Sequence, residues 1–180
     1  MDDVLANTPL FSALDAHGAE ALRSSMSEMK VSKGQELFHE GEPGEHLYLV
    51  LDGKVKLGHG APDGRESLMA VLGPGEMFGE LSLFDPGLRA STATALTDAI
   101  VLALGNDQLM PLLEGRPAVA AALLQALARR LRRTNEAMAD LVFSDVPGRV
   151  AKALMELGEK FGTLTPDGLL GTHDMTQEEW

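Results

Sequence analysis

Apolar residues change their rhythm twice along this chain. Through residues 2–30, Val4, Leu5, Leu10, Phe11, Leu14, Leu22, Met26 and Met29 recur at helical spacing. That spacing predicts short helices around Thr8-Pro9 and after Leu14-Asp15. From Val31 the apolar runs shorten to 47–51, 55–57, 68–72, 91–97 and 100–104. Gly34, Gly41, Pro43-Gly44, Gly53, Gly64, Gly73-Pro74-Gly75, Gly79 and Gly87 punctuate them, and Asp52-Gly53 and Asp63-Gly64 are hairpin-type dipeptides. Many short strands with regular turns predict an antiparallel sandwich or roll. Helical spacing then returns, first over 106–113 and, beyond Gly115-Arg116-Pro117, in a long helix over 118–143. Strands followed by helices make the class α+β.

The long helix carries a narrow stripe. Leu124, Leu127, Leu131, Met138 and Leu141 step by threes and fours, with Thr134 in the one missing place. Such a stripe either packs on the helix's own roll or pairs with a second copy. Its strict two-in-seven form favours a homodimer seam of Leu124, Leu127, Leu131, Thr134, Met138 and Leu141. A polar residue in a seam weakens it, so Thr134 and its neighbour Asn135 are either solvated or offer a hydroxyl and an amide to a polar ligand. The segment 144–148 breaks the helix, with Asp145 as N-cap of the next and Pro147 in its first turn. Val150, Ala153, Leu154, Leu157 and Phe161 give that helix one apolar face. A polar turn segment follows, including Thr165-Pro166-Asp167-Gly168 and Leu169-Leu170. Thr176-Gln177-Glu178-Glu179 then forms a capping box that opens a further helix just before Trp180. The expected domains are a roll over 1–116, a dimerisation helix over 117–144, and a hinge with an incomplete module over 145–180.

Composition narrows the class. The chain has 180 residues, 44% of them hydrophobic, and no cysteine, which excludes disulfides, thiol nucleophiles and thiolate-held clusters. No apolar run reaches membrane-spanning length and the N-terminus is acidic, so the expectation is a cytoplasmic protein with no membrane partner. The net charge is −12, and an acidic body repels nucleic acid, so any DNA affinity needs a dedicated module. Arg129, Arg130, Arg132 and Arg133 read as a solvated face of the long helix. A metal-dependent roll enzyme needs converging histidines and a carboxylate. Here His17, His39, His46, His59 and His173 are scattered, with no His-x-His pair. Neither a metal site nor an enzyme is expected.

The richest chemistry lies in 79–92, Gly-Glu-Leu-Ser-Leu-Phe-Asp-Pro-Gly-Leu-Arg-Ala-Ser-Thr. Taken alone it is either a structural turn with a surface arginine or an anion site. A glycine-led helix start offers backbone N–H groups and a positive dipole end, and Arg89 adds a charged fork. Glu80 repels a phosphate but accepts hydrogen bonds from the hydroxyls of a sugar. Phosphate plus sugar hydroxyl is a nucleotide.

With these motifs in order, the chain resembles the cyclic-AMP receptor protein/FNR (CRP/FNR) family of bacterial transcription regulators, most of all its actinobacterial cyclic-AMP-responsive members. The words that carry the likeness are Phe38-His39-Glu40-Gly41-Glu42-Pro43-Gly44, Leu51-Asp52-Gly53-Lys54-Val55-Lys56-Leu57 and Ala61-Pro62-Asp63-Gly64-Arg65-Glu66. To these add the run from Met77 to Gly87, Leu127-Ala128-Arg129-Arg130-Leu131-Arg132-Arg133-Thr134-Asn135 and Asp145-Val146-Pro147-Gly148-Arg149-Val150-Ala151. The resemblance implies a cyclic-nucleotide-binding jelly-roll, a long C-terminal dimerisation helix, a hinge and a winged helix-turn-helix. By position it implies that Gly79, Glu80 and Leu81 form the phosphate-binding cassette, with Glu80 on the ribose and Arg89 and residue 90 on the cyclic phosphate. Thr134 and Asn135 reach the adenine, one of them across the dimer. Cyclic AMP is the implied ligand, with cyclic GMP as the alternative, and no covalent cofactor. Ala90 departs from the family's usual Ser or Thr and removes one hydroxyl from the phosphate. Leu88 stands where a proline is common. The sequence ends before a recognition helix, so the expectation is a regulator lacking most of its DNA-binding domain, with DNA binding only if that module is restored. The alternative is a stand-alone cyclic-nucleotide-binding dimer, a sensor or decoy. Absence of cysteine excludes an iron–sulfur sensor.

Overall fold

A computed structural model describes residues 2–6, 8–12, 14–60, 66–85, 87–166 and 168–171. The Asp63-Gly64 dipeptide and the rest of 61–65, Pro86, Asp167, His173 and the Thr176–Glu179 capping box lie outside the described residues. The chain divides into two compact units, one running through Leu123 and one beginning at Leu124.

In the first unit, α1 (Asp2–Ala6), α2 (Pro9–Ser12) and α3 (Ala16–Ser25) lead into the strands. Asp15 caps α3, accepting from the Gly18 N–H at 2.7 Å, and pairs with Arg116 at 3.1 Å. Strands β1 (Ser27–Val31), β3 (His46–Asp52), β6 (Met77–Phe78) and β8 (Ala99–Gly105) form one antiparallel sheet in the order β1-β8-β3-β6. Strands β2 (Glu36–Phe38), β4 (Val55–Gly60), β5 (Glu66–Leu72) and β7 (Thr92–Ala95) form the other, ordered β2-β7-β4-β5. The antiparallel roll expected from the sequence is the fold observed.

The uninterrupted apolar runs of β3 and β8 have a simple cause: both faces of their sheet are covered. Leu47, Leu49, Leu51, Leu102 and Leu104 point toward the helices and pack with Leu10, Phe11, Leu22, Leu109, Val119 and Leu123. Tyr48, Val50, Val101 and Ala103 point the other way, with Phe78 of their own sheet, into the core shared with Phe38, Val55, Leu57 and Ala93 of the facing strands. Each fully buried leucine contributes about 1.5–3 kcal/mol, so β3 is anchored from both sides.

One turn differs from its expectation. Asp52-Gly53 joins β3 to β4, which belong to different sheets, so it is a crossing turn and not a hairpin. Gly53 has φ +79, and a side chain there would strike the Asp98 carbonyl and lie 2.8 Å from Ala99 Cα. The true hairpin in that region pairs β4 with β5. The strand β1 also replaces a helical reading of Met29. Among the described residues it pairs only with β8, and it buries only Val31, so it shows no alternation to read.

After α5 (Asn106–Gly115), α6 (Pro117–Phe143) begins in the first unit, where Val119, Ala122 and Leu123 are buried. The second unit holds the remainder of α6, α7 (Val146–Phe161) and a hairpin of β9 (Thr163–Thr165) with β10 (Gly168–Leu170). Asp145 caps α7 by accepting from the Gly148 N–H at 2.9 Å, as its position before Pro147 predicts. Arg149 donates to the Ser144 carbonyl at 2.8 Å, and Lys152 pairs with Asp140. Leu169 settles over Gly158 and Gly162, where a Cβ would come within 2.9 Å of it. The segment expected as a polar turn is therefore a short hairpin lying on α7.

Candidate anion-binding loop

The loop opens where β6 ends. Gly79 has φ +77, and a Cβ there would lie 2.7 Å from Arg89 Nη1 and 3.0 Å from the His46 carbonyl. Only glycine meets both demands. Glu80 follows, 4% exposed, and Leu81 opens α4 (Leu81–Phe84), a helix of four residues. The helix-dipole contribution expected from the sequence is correspondingly reduced, since a macrodipole is a sum over aligned peptides. What a single turn does keep is its leading N–H groups, which have no intrahelical acceptor.

Arg89 returns beneath this turn, and it is not a surface residue: it is 5% exposed. Its Nη1 donates to the Gly79 carbonyl at 2.7 Å and to Ser82 Oγ at 3.1 Å, and its Nη2 donates to the His46 carbonyl at 3.0 Å. The guanidinium lies over the Phe38 ring, 4.1 Å from the centroid, with Tyr48 at 5.7 Å. Phe38, Tyr48 and Phe78 contact one another, Tyr48 and Phe78 stacked at 5.2 Å. The main chain of Arg89 is tied as well, its N–H donating to the Glu42 carbonyl at 2.7 Å and its carbonyl accepting from Gly41 at 2.9 Å. Leu88 bridges to Pro43.

Burial lowers the pKa of Arg89 from its ordinary value, while Tyr48, Glu80 and Glu42 oppose the shift. Arginine starts so high that it stays charged. Burial also raises the Tyr48 hydroxyl, with Arg89 opposing. The Arg89 Nε–H is buried without a hydrogen-bond partner. A buried cationic donor left unsatisfied is costly, and an anion is its natural complement.

The structure thus brings Gly79, Glu80, Leu81 and Arg89 together within one loop. Leu81 and Ala90 are exposed, whereas Ser91 is buried. Thr134 and Asn135 belong to the second unit and are exposed; the Thr134 hydroxyl donates to its own helix at the Arg130 carbonyl, 3.1 Å. Of the seam, Leu124, Leu131, Met138 and Leu141 are exposed and Leu127 half-buried, so the stripe is not spent within the chain. Sequence reading missed Gly44, Phe38, Tyr48 and Ser82. A cation over a ring and a carbonyl under a guanidinium join residues far apart in sequence, and no local pattern announces them. Among the described residues there is no cluster of potential metal ligands and no helix long and apolar enough to cross a membrane.

The family described as cyclic nucleotide-binding domain matches residues 28–116, which span most of the two-sheet roll with its glycine-led loop and buried arginine. A CRP-like cAMP-activated global transcriptional regulator of Mycobacterium tuberculosis is 48% identical over 179 residues, covering 99% of this chain and 80% of its own length. The crystal structure of the N-terminal domain of a transcriptional regulator from Streptomyces coelicolor A3(2) superposes with a TM-score of 0.61 at 59% identity, over 79% of this chain and 99% of that one. The Thermus thermophilus catabolite activator protein superposes with a TM-score of 0.69 at 38% identity, over 85% and 72%. The chain belongs to the CRP/FNR family of transcription regulators.

Proposed function

We propose that this chain is a cyclic-nucleotide sensor whose ligand is cyclic AMP, and that binding is its regulatory input rather than the first step of a catalysed reaction. The observation that carries the reading is Arg89: buried, charged, seated on carbonyls and rings, with its Nε–H still lacking a partner. The cyclic phosphate lies against Arg89 and the leading N–H groups of 79–81, and Glu80 takes the ribose hydroxyl. Ala90 contributes its backbone alone. Thr134 and Asn135 read the base, one of them from a second copy.

The roll over 1–116 senses, the helix over 117–144 dimerises, and the segment from 145 onward passes the signal to the output that acts on transcription. Dimerisation runs through Leu124, Leu127, Leu131, Thr134, Met138 and Leu141. Exposed leucines at 124, 131 and 141 support that reading, because a stripe of this size is stabilised by covering it. Ligand binding then biases a two-state equilibrium. Calorimetric titration with cyclic AMP, cyclic GMP and AMP tests the proposal. Saturable heat with cyclic AMP, weaker with cyclic GMP and absent with AMP, is expected. No heat with either cyclic nucleotide at millimolar concentration overturns it.

A further inference from the structure

We infer that Lys152 is a latch: its ammonium group, carried by α7, gathers the carboxylates of α6 and fixes the angle at which the two helices meet. The inference concerns the second unit alone and stands apart from what the roll binds. Glu136 and Asp140 sit four residues apart on α6, and like charges at that spacing destabilise an isolated helix. Lys152 answers them from the next helix. It pairs with Asp140, twelve residues back in the chain, and stands 4.0 Å from Glu156 on its own helix. Its pKa is raised, first by the hydrogen bond to Asp140 and then by the charges of Asp140, Glu156 and Glu136, with desolvation opposing. Three carboxylates, two from α6 and one from α7, thus converge on one cation. Without it, Glu156 faces the α6 pair as a like charge, and attraction across the elbow turns to repulsion.

Nothing else on α7 does this work. No residue of α7 is buried, so no buried apolar contact seats it on α6. Only Ser144 and Asp145 separate the two helices, and the Asp145 side chain is spent capping α7. Arg149 braces the inside of the corner, its Nη1 donating to the Ser144 carbonyl at 2.8 Å, where the end of α6 leaves carbonyls without intrahelical donors and favours a cation. That tie lies within the turn itself. Lys152 lies nearly one helical turn further along α7, where the same force acts on a longer arm, so it is the contact that sets the angle.

The chain has no cysteine, so Arg132→Cys and Glu159→Cys, both at exposed positions, place one spin label on each helix. Double electron–electron resonance on the whole chain, diluted into unlabelled chain, then reads the elbow. The otherwise wild-type chain should give one narrow distance. Lys152→Met should broaden it, raising the share of opened elbow about two- to fivefold, the weight of an exposed ion pair. Lys152→Arg should keep the distance narrow, and the exchange of Asp140→Lys with Lys152→Asp should restore it. Concentrated salt should broaden the wild type and leave Lys152→Met unchanged, because screening acts only on the charge. A Lys152→Met distribution that superposes on the wild type overturns the latch, as does a wild type that is already broad. So does broadening that neither salt reproduces nor the charge exchange repairs, or that comes with loss of helical circular dichroism.

Discussion

Gly79 and Gly34 share nearly the same backbone conformation, φ +77 and φ +79, in different surroundings, and that pairing gives a quantitative test of the loop. A Cβ at Gly34 meets nothing within 4 Å, whereas one at Gly79 lies 2.7 Å from Arg89 Nη1, 3.0 Å from the His46 carbonyl and 3.3 Å from Tyr48 Cδ2. Gly34→Ala therefore carries only the left-handed strain, about 1–2 kcal/mol. Gly79→Ala carries the same strain and also pushes the guanidinium off the carbonyls it holds. A hydrogen bond to a charged group contributes about 1.5–3 kcal/mol, so the total rises to roughly 3–4 kcal/mol. In urea, where slopes are about 1–3 kcal/mol per molar, the extra 2 kcal/mol separates the two midpoints by about 1 M. Tyr48 is the only tyrosine of the chain and sits in the core beneath the loop, so its near-ultraviolet circular dichroism reports unfolding of this unit. Equal midpoints for the two variants would refute the tight seat assigned to Arg89.

Other consequences are open to direct measurement. Phe38→Leu removes the ring beneath Arg89 and is expected to lower stability by about 2 kcal/mol, the size of a desolvated cation–π contact. It should also move the Arg89 Nε–H resonance downfield in the NMR spectrum as the ring current is lost; an unmoved resonance would contradict the stacking. The pKa of Asp15 is lowered, first by the Gly18 N–H and then by Arg116. Its contribution is fully present above the unfolded carboxyl pKa of about 3.9 and disappears as pH falls through the lower folded value. The stability difference between wild type and Asp15→Ala should accordingly be flat from pH 5 to 7 and shrink below about pH 4, as measured by urea unfolding at each pH. If the seam pairs two copies, the wild type should scatter light as a dimer at tens of micromolar and Leu131→Asp should shift it toward monomer; a monomeric wild type counts against the seam.

Much of this architecture could be read before any coordinates. The double-sided apolar runs of β3 and β8, the helix starts at Asp15 and Asp145, and the long helix from Pro117 follow from rules that act over a few residues. The Asp52-Gly53 turn shows where such rules stop. Its dipeptide states that the chain reverses, but whether the next strand pairs in the same sheet or crosses to the other is decided by Asp98, Ala99 and Thr97, more than forty residues on. The loop divides in the same way. Gly79, Glu80 and Arg89 stood out by type and spacing. The floor of Phe38, Tyr48 and Gly44 did not, because a ring or a bare Cα becomes part of a site only through contacts made in three dimensions. Thr134 and Asn135 mark a third case: they stand exposed on α6, the Thr134 hydroxyl turned back to the Arg130 carbonyl, and the role expected of them remains a proposal.

The ties that fix Arg89 reach well beyond its own side chain. They join Gly41 and Glu42 at one edge, His46 at the start of β3, and Gly79 at the exit of β6. An untethered backbone surrenders about 1–2 kcal/mol per residue when it is ordered, and these contacts among the chain's own atoms settle that entropy during folding. An anion bound there, as proposed, would have little loop left to organise, and its affinity would be governed by contact chemistry, one hydroxyl or one amide at a time. If the chain senses a nucleotide as proposed, single substitutions in such a loop would retune the concentration at which it responds without rebuilding it, which makes set-point, rather than shape, the property most readily altered here.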